Sequence, residues 1–226
     1  MRIYYDLEFF DSGRTIDLIS IGMVADDGRE LYAINAELPY HALVDHTFLR
    51  ENVAPHLPVR LPETDGWECW DFQHPDMTKV MYRNELRKAI SAFVAETPDP
   101  ELWAYYSAYD HVGLAQIFGR MLDLPSGIPM QTDDLMTEWK RLGRPALPQQ
   151  AEDAQTAIVH HALHDARWNK TIGDFLTAYE AEQNRPLREL LEELASGTWL
   201  RSNGDQSWHG NAARLMNRAK NLLEAA

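Results

Sequence analysis

A mixed α/β fold, with a five-stranded sheet flanked by helices, is predicted for this 226-residue chain by three observations. Apolar, strand-like runs cluster at the start, later strand-like runs alternate with helical periodicity, and Gly or Pro punctuation separates them. Residues 2–10 (RIYYDLEFF) and 18–25 (LISIGMVA) read as strands, and so do residues 30–36 (ELYAINA) after the turn signal Asp26-Asp27-Gly28. From 37 to 76 the pattern fades. Prolines at 39, 55, 58, 62 and 75 break any long element, and Trp67, Trp70 and Phe72 sit among polar residues, as in an ordered insertion. Val80, Met81, Leu86, Ile90, Phe93 and Val94 then recur at helical spacing over 78–96, before a fourth strand at 101–106. Ser107 reads as the N-cap of a second helix. A short fifth strand is expected at 128–132, with helices at 133–142 and 162–180 and amphipathic stretches at 186–195 and 211–224. The expected organisation is one domain over 1–180, carrying the 37–76 insertion, and a helical extension over 181–226 packed on it.

Composition narrows the class. A hydrophobic content of 45% is enough for one substantial core. The single cysteine, Cys69, excludes an internal disulfide framework and a thiolate zinc cluster and suits a reducing compartment. Residues 1–25 carry Asp6, Glu8 and Asp11 and do not resemble a secretory leader. No window is apolar enough to span a membrane, so the expectation is a cytoplasmic protein. A net charge of −14 argues against a protein that coats nucleic acid through a basic surface. An enzyme gripping only a chain end needs few phosphate contacts, and bound cations reverse the local sign.

Four carboxylates, at three places in the chain, stand out. Asp6 and Glu8 lie two apart on the first strand, so both project from one face. Burying two carboxylates side by side costs desolvation and repulsion that a divalent cation would offset. An isolated Asp-x-Glu is more often a solvated strand end or an arginine partner. Asp110, three residues after Ser107, resembles the far end of a capping box. Asp165 lies close to the Ala162, Ala166 and Asn169 stripe, the helix face that should meet the core, with His160 five positions before it.

Taken together, Asp6-Leu7-Glu8 on a first strand, Asp110 early in a helix after the fourth strand, and His160-His161-Ala162-Leu163-His164-Asp165-Ala166 resemble the three motifs of the DEDDh family of 3'-to-5' exonucleases. The resemblance covers about 1–180. Within the family, Glu51-Asn52-Val53 in the insertion and the run Ala162–Asn169 are similar to the actinobacterial polyadenylate-specific 3'-to-5' exoribonucleases (the RNase AS group). It implies an RNase H-like exonuclease fold, two divalent cations (Mg²⁺ or Mn²⁺) held by Asp6, Glu8, Asp110 and Asp165, and His160 as general base. It also implies a single-stranded RNA 3' end as substrate, nucleoside 5'-monophosphates as products, and a homodimer, for which Trp67, Trp70 and Phe72 are the candidate interface aromatics. Many DEDDh enzymes carry Thr after the Asp-x-Glu pair. Here Phe9-Phe10 follows, which offers a ring for base stacking. Phe9 and Leu7 are therefore the candidate substrate-binding residues.

Rival readings are a zinc site using His160 and His164, a DNA-directed exonuclease, and a non-catalytic nucleic-acid-binding module of the same fold. His-Glu-x-x-His is absent, as are the glycine-rich nucleotide-binding signatures.

Overall fold

The computed structural model describes residues 1–61, 70–149, 159–196 and 207–225. It falls into two compact units, Met1–Asp174 and Phe175–Ala226. In the first, strands β1 (Arg2–Asp11), β2 (Ile16–Ala25), β3 (Glu30–Asn35), β4 (Val80–Met81), β5 (Glu101–Ala104) and β6 (Asp133–Asp134) form one six-stranded sheet in the order β4-β3-β2-β1-β5-β6. β1, β2 and β3 pair antiparallel as a meander, whereas β3–β4, β1–β5 and β5–β6 are parallel. The β2–β3 turn closes with a Gly28 N–H bond to the Ala25 carbonyl, at 3.0 Å, and Gly28 sits at φ +87°. That conformation is one glycine adopts without steric cost.

Two departures from expectation lie at strand–helix boundaries. The sheet has six strands rather than five, because Val80–Met81 leaves the predicted helix and pairs with Ile34–Asn35. A two-residue apolar pair satisfies a helical stripe and a strand equally well, so periodicity could not separate them. Helix α2 (Arg83–Ala95) begins after it, where the Glu85 carboxylate accepts from the Tyr82 N–H at 2.8 Å. The strand expected at 128–132 lies instead at Asp133–Asp134. Asp134 caps the next helix, its Oδ1 accepting from Thr137 N at 2.7 Å, so α4 (Leu135–Arg141) starts at Leu135 rather than 133.

Each face of the sheet carries a core. On one, Ile3, Tyr5, Leu7, Ile21 and Met23 pack with Leu86, Ile90 and Phe93 of α2 and with Leu114 and Ile117 of α3 (Ala108–Phe118). On the other, Ile19, Tyr32 and Ile34 meet the insertion through Leu43 of α1 (Tyr40–Asp45) and through Leu49, Val53, Ala54 and Leu57. The insertion is thus a packed half of the second core. Of its three candidate interface aromatics, Trp67 lies outside the described residues. Trp70 is half-buried against this core and bridges to Val59, and Phe72 is 74% exposed.

The same second face receives helix α5 (Ala162–Ser196), which takes in both the predicted 162–180 helix and the 186–195 stretch, with Pro186 inside it. Ala162, Ala166 and Asn169 face the sheet as the periodicity predicted, and Asn169 Nδ2 donates to the Tyr5 carbonyl at 2.9 Å. The helix can come this close because Gly22 of β2 has no side chain. A Cβ there would overlap the Ala162 carbonyl, and one at Gly173 would overlap the Tyr4 ring. In the second unit, α6 (Ser207–Ala225) runs against the later part of α5, where Arg218 bonds Glu189 and Glu193 at 3.1 and 3.0 Å. No helix of the described residues is long and apolar enough to cross a membrane.

Gly22→Ala should therefore destabilise the protein by about 1–3 kcal/mol through overpacking. Activity should fall with it, since the displaced turn carries Asp165. Urea denaturation beside a turnover assay checks this, and a variant with unchanged midpoint and rate would contradict the close approach.

Candidate active site

Strand alternation divides β1 between two tasks. Ile3, Tyr5 and Leu7 enter the first core, so Tyr4, Asp6 and Glu8 lie on the opposite face, beneath α5. Asp6 pairs across the sheet with Gly22 and Glu8 with Ser20, and the register shifts just after Glu8. The glycine that admits α5 is thus the cross-strand neighbour of the first carboxylate.

Asp110 arrives from α3, and the capping-box reading does not hold for it. Ser107 is the N-cap of α3 but makes no side-chain cap bond. The Asp110 carboxylate instead crosses to β1 and accepts from the Leu7 N–H at 2.9 Å, in a buried setting. β1 pairs with β5 only from Arg2 to Tyr4, so the Leu7 N–H lies past the end of that ladder. The carboxylate satisfies a backbone donor that the shorter neighbouring strand leaves open.

Asp165 sits in the first turn of α5 and accepts from the His160 N–H at 2.9 Å, while its own N–H bonds the His161 carbonyl at 3.0 Å. His160 just precedes the helix at φ +64°, a left-handed conformation uncommon outside glycine. A ligating atom of His160 and one each of Glu8 and Asp165 lie within 4.8 Å of one another, the one such trio among the described residues.

The electrostatics of this cluster are unfavourable as it stands. Glu8 and Asp110 are 8% and 6% exposed. Burial, then repulsion from Asp165 and Asp110, pushes Glu8 up to about 8. Burial raises Asp110 to about 6 even though the Leu7 N–H bond favours its ionised form. Asp6 is held well above the carboxylate range by burial and by Asp110, Glu8 and Asp165, and Asp165 is raised by burial against the opposing pull of His160. The charges acting on the four are one another's and that of His160. The bland readings, a solvated strand end or an arginine partner, do not describe this arrangement.

The chain's relatives agree with the motif reading. A family model described as the 3'-5' exoribonuclease Rv2179c-like domain matches residues 1–177. The chain belongs to this family. Two Mycobacterium tuberculosis proteins, 3'-5' exoribonuclease Rv2179c of strain ATCC 25618 / H37Rv and 3'-5' exoribonuclease MT2234.1 of strain CDC 1551 / Oshkosh, are each 39% identical to it over 170 residues. The match covers 74% of this chain and 88% of each relative.

In this Rv2179c-like chain the two candidate substrate-binding residues part company. Phe9 is packed against the same first core as Leu7 but only half-buried, with its ring parallel to Tyr109 at 6.2 Å. The Leu7 side chain is 4% exposed and packed in the first core, which leaves it no surface for a substrate; its link to the site is its backbone N–H. Alternation along the strand already implied this, because a residue between Asp6 and Glu8 must face the other way.

Among the described residues the trio able to hold a metal includes His160 but not His164. His164 lines a separate cavity of about 500 Å³ with Glu30, Tyr32, His56 and His161. There His161 stacks on Tyr32 at 4.4 Å, and burial, then neighbouring His164, lowers it to about 4. Sequence reasoning also missed Phe48, whose ring meets His160 edge-on at 4.9 Å. No motif marks it, because its partner is 112 positions away. Gly22, by contrast, was visible as a glycine inside an apolar strand.

These shifts set a pH dependence. Glu8 binds its proton more tightly when folded than its ordinary value of 4.5, so its contribution to stability is complete below that value and is lost as pH rises through about 8. The metal-free protein should melt higher at about pH 6 than at about pH 8.5, and millimolar Mg²⁺ should raise the melting temperature more at the higher pH. Differential scanning fluorimetry with EDTA or Mg²⁺ tests this; an equal Mg²⁺ effect at both pH values would contradict it.

Proposed function

We propose that this chain is a divalent-metal-dependent 3'-to-5' exoribonuclease that removes nucleoside 5'-monophosphates from single-stranded RNA 3' ends, with a preference for adenylate tails. The observation that carries the reading is the meeting of four carboxylates, Glu8 and Asp110 buried and Asp6 and Asp165 partly buried, with a ring nitrogen of His160 close to Glu8 and Asp165. Membership of the Rv2179c-like family supports the polarity and the RNA substrate. The adenylate preference rests on the resemblance of the Glu51–Val53 and Ala162–Asn169 segments to the RNase AS group. The strand order and the central antiparallel meander are consistent with an RNase H-like fold, and a single cysteine suits work in the cytoplasm.

The donor set is made of carboxylate oxygens, which fit Mg²⁺ or Mn²⁺ and not a thiolate-loving metal. Asp6, Glu8, Asp110 and Asp165 would hold two such ions, whose chemistry is to stabilise phosphoryl charge and lower the barrier to water deprotonation. The protein's own tasks follow from its geometry. His160 takes the proton of the attacking water as general base. Asp165 fixes the backbone of that histidine through the 2.9 Å bond to its N–H. Asp110 fixes β1, and with it the separation of Asp6 and Glu8, through the Leu7 N–H. Phe9, half-buried against the first core and parallel to Tyr109, is the remaining candidate ring for the terminal base.

Matched 3'-tailed oligonucleotides test this directly: RNA and DNA, A-tailed and U-tailed, with free or blocked 3' ends, in Mg²⁺ or EDTA. A-tailed RNA with a free 3' end should shorten fastest, and cleavage should stop in EDTA and return with Mg²⁺ or Mn²⁺. Equal degradation of DNA would make the enzyme an exodeoxyribonuclease as well. Binding with no degradation of any strand would leave a nucleic-acid-binding module. Undiminished cleavage after thorough chelation would remove the metal-dependent mechanism.

A further inference from the structure

We infer that Phe48, in the insertion, is a positioning residue for His160, and that the insertion is therefore part of the catalytic apparatus. The inference rests on the assignment of His160 as general base. The two rings stand edge-on, with centroids 4.9 Å apart and planes at 78°, the geometry in which a ring edge meets a π face.

The His160 backbone is fixed by its N–H bond to Asp165 and by its left-handed φ, but neither holds the ring. Among the described residues the imidazole makes no hydrogen bond, and Phe48 is the aromatic ring it packs against. An imidazole that is to take a proton from water beside Glu8 and Asp165 must present one nitrogen to that point, and rotation about its side-chain bonds would swing it away. The contact with Phe48 opposes that rotation.

Phe48 can serve because its own position is fixed. It opens the π-helical segment Leu49–Val53, where Leu49 and Val53 are 4% and 0% exposed in the second core. Asn52 Nδ2 donates back to the Phe48 carbonyl at 3.0 Å. Phe48 as a residue is 46% exposed. Its removal takes little from the core, and Phe48→Ala should remain folded. A π-helical turn at this place advances the chain by one extra residue per turn, a device found often beside functional sites.

A four-enzyme cycle tests the assignment: wild type, Phe48→Ala, His160→Ala and the double variant, assayed for kcat and KM on A-tailed RNA at saturating Mg²⁺. Phe48→Ala should lower kcat by roughly 3- to 10-fold, the scale of one aromatic pair, and leave KM within about 2-fold. It should have no further effect once His160 is absent. Phe48→Tyr or Phe48→Trp, which keep a ring, should restore most of the rate, whereas Phe48→Leu, which keeps bulk, should not. Equal losses in the presence and absence of His160, or a loss carried by KM, would overturn the inference and make Phe48 a substrate contact. Full turnover by His160→Ala would remove the base assignment, and the role of Phe48 with it. Thermal melts of all variants separate these outcomes from loss of fold.

Discussion

The approach of α5 to the sheet at Gly22 governs the site, because it brings two sequence-distant motifs onto one patch of β1. Asp6 is paired directly with Gly22, and the helix that rests on that glycine carries Asp165 in its first turn and His160 just ahead of it. A Cβ at Gly22 would overlap the backbone of Ala162 and Leu163, in the same turn as Asp165. The small residues Ala162 and Ala166 continue the contact, and Asn169 closes it with a hydrogen bond to the Tyr5 carbonyl. A packing constraint directly beside Asp6 thus sets how closely these side chains approach one another.

Packing works here against electrostatics. Four acidic groups are held together with His160 as the one opposing charge recorded on them among the described residues, and their raised proton affinities express that conflict. The core on each face of β1 stabilises an arrangement that charge alone would disperse. This also reconciles the net charge of −14 with a nucleic-acid substrate. On the proposed metal-dependent reading, the positive charge that meets phosphate would be borrowed at the site and not spread over the surface.

Much of this was legible in the residues. The meander, the Asp-Gly turn, α3 and the inward face of α5 all follow from local signals of alternation, turn chemistry and helical spacing. The Asp6–Glu8 pair and Asp165 were identifiable because a carboxylate on a core-facing position contradicts its surroundings. What stayed hidden was non-local or too short to carry a period. β4 and β6 have two residues each and exist because a neighbouring strand edge receives them. Asp110 looked like a local cap because its true partner, the Leu7 N–H, is 103 residues away. Phe48 sits in a proline-rich stretch with no repeating pattern, and only the fold shows which histidine it meets. Leu7 was misjudged for a different reason, since adjacency to catalytic residues along a strand places a side chain on the opposite face.

The bond from the Leu7 amide to Asp110 gives the site a built-in spectroscopic probe. An amide proton shared with a carboxylate resonates further downfield as that carboxylate ionises, and it exchanges with solvent only when the bond opens. The charge state of a buried acidic cluster can therefore be followed at one backbone resonance, in the resting protein, with neither substrate nor chromophore. Because that amide lies between Asp6 and Glu8, the same resonance would register the arrival of any ion that draws the three carboxylates together.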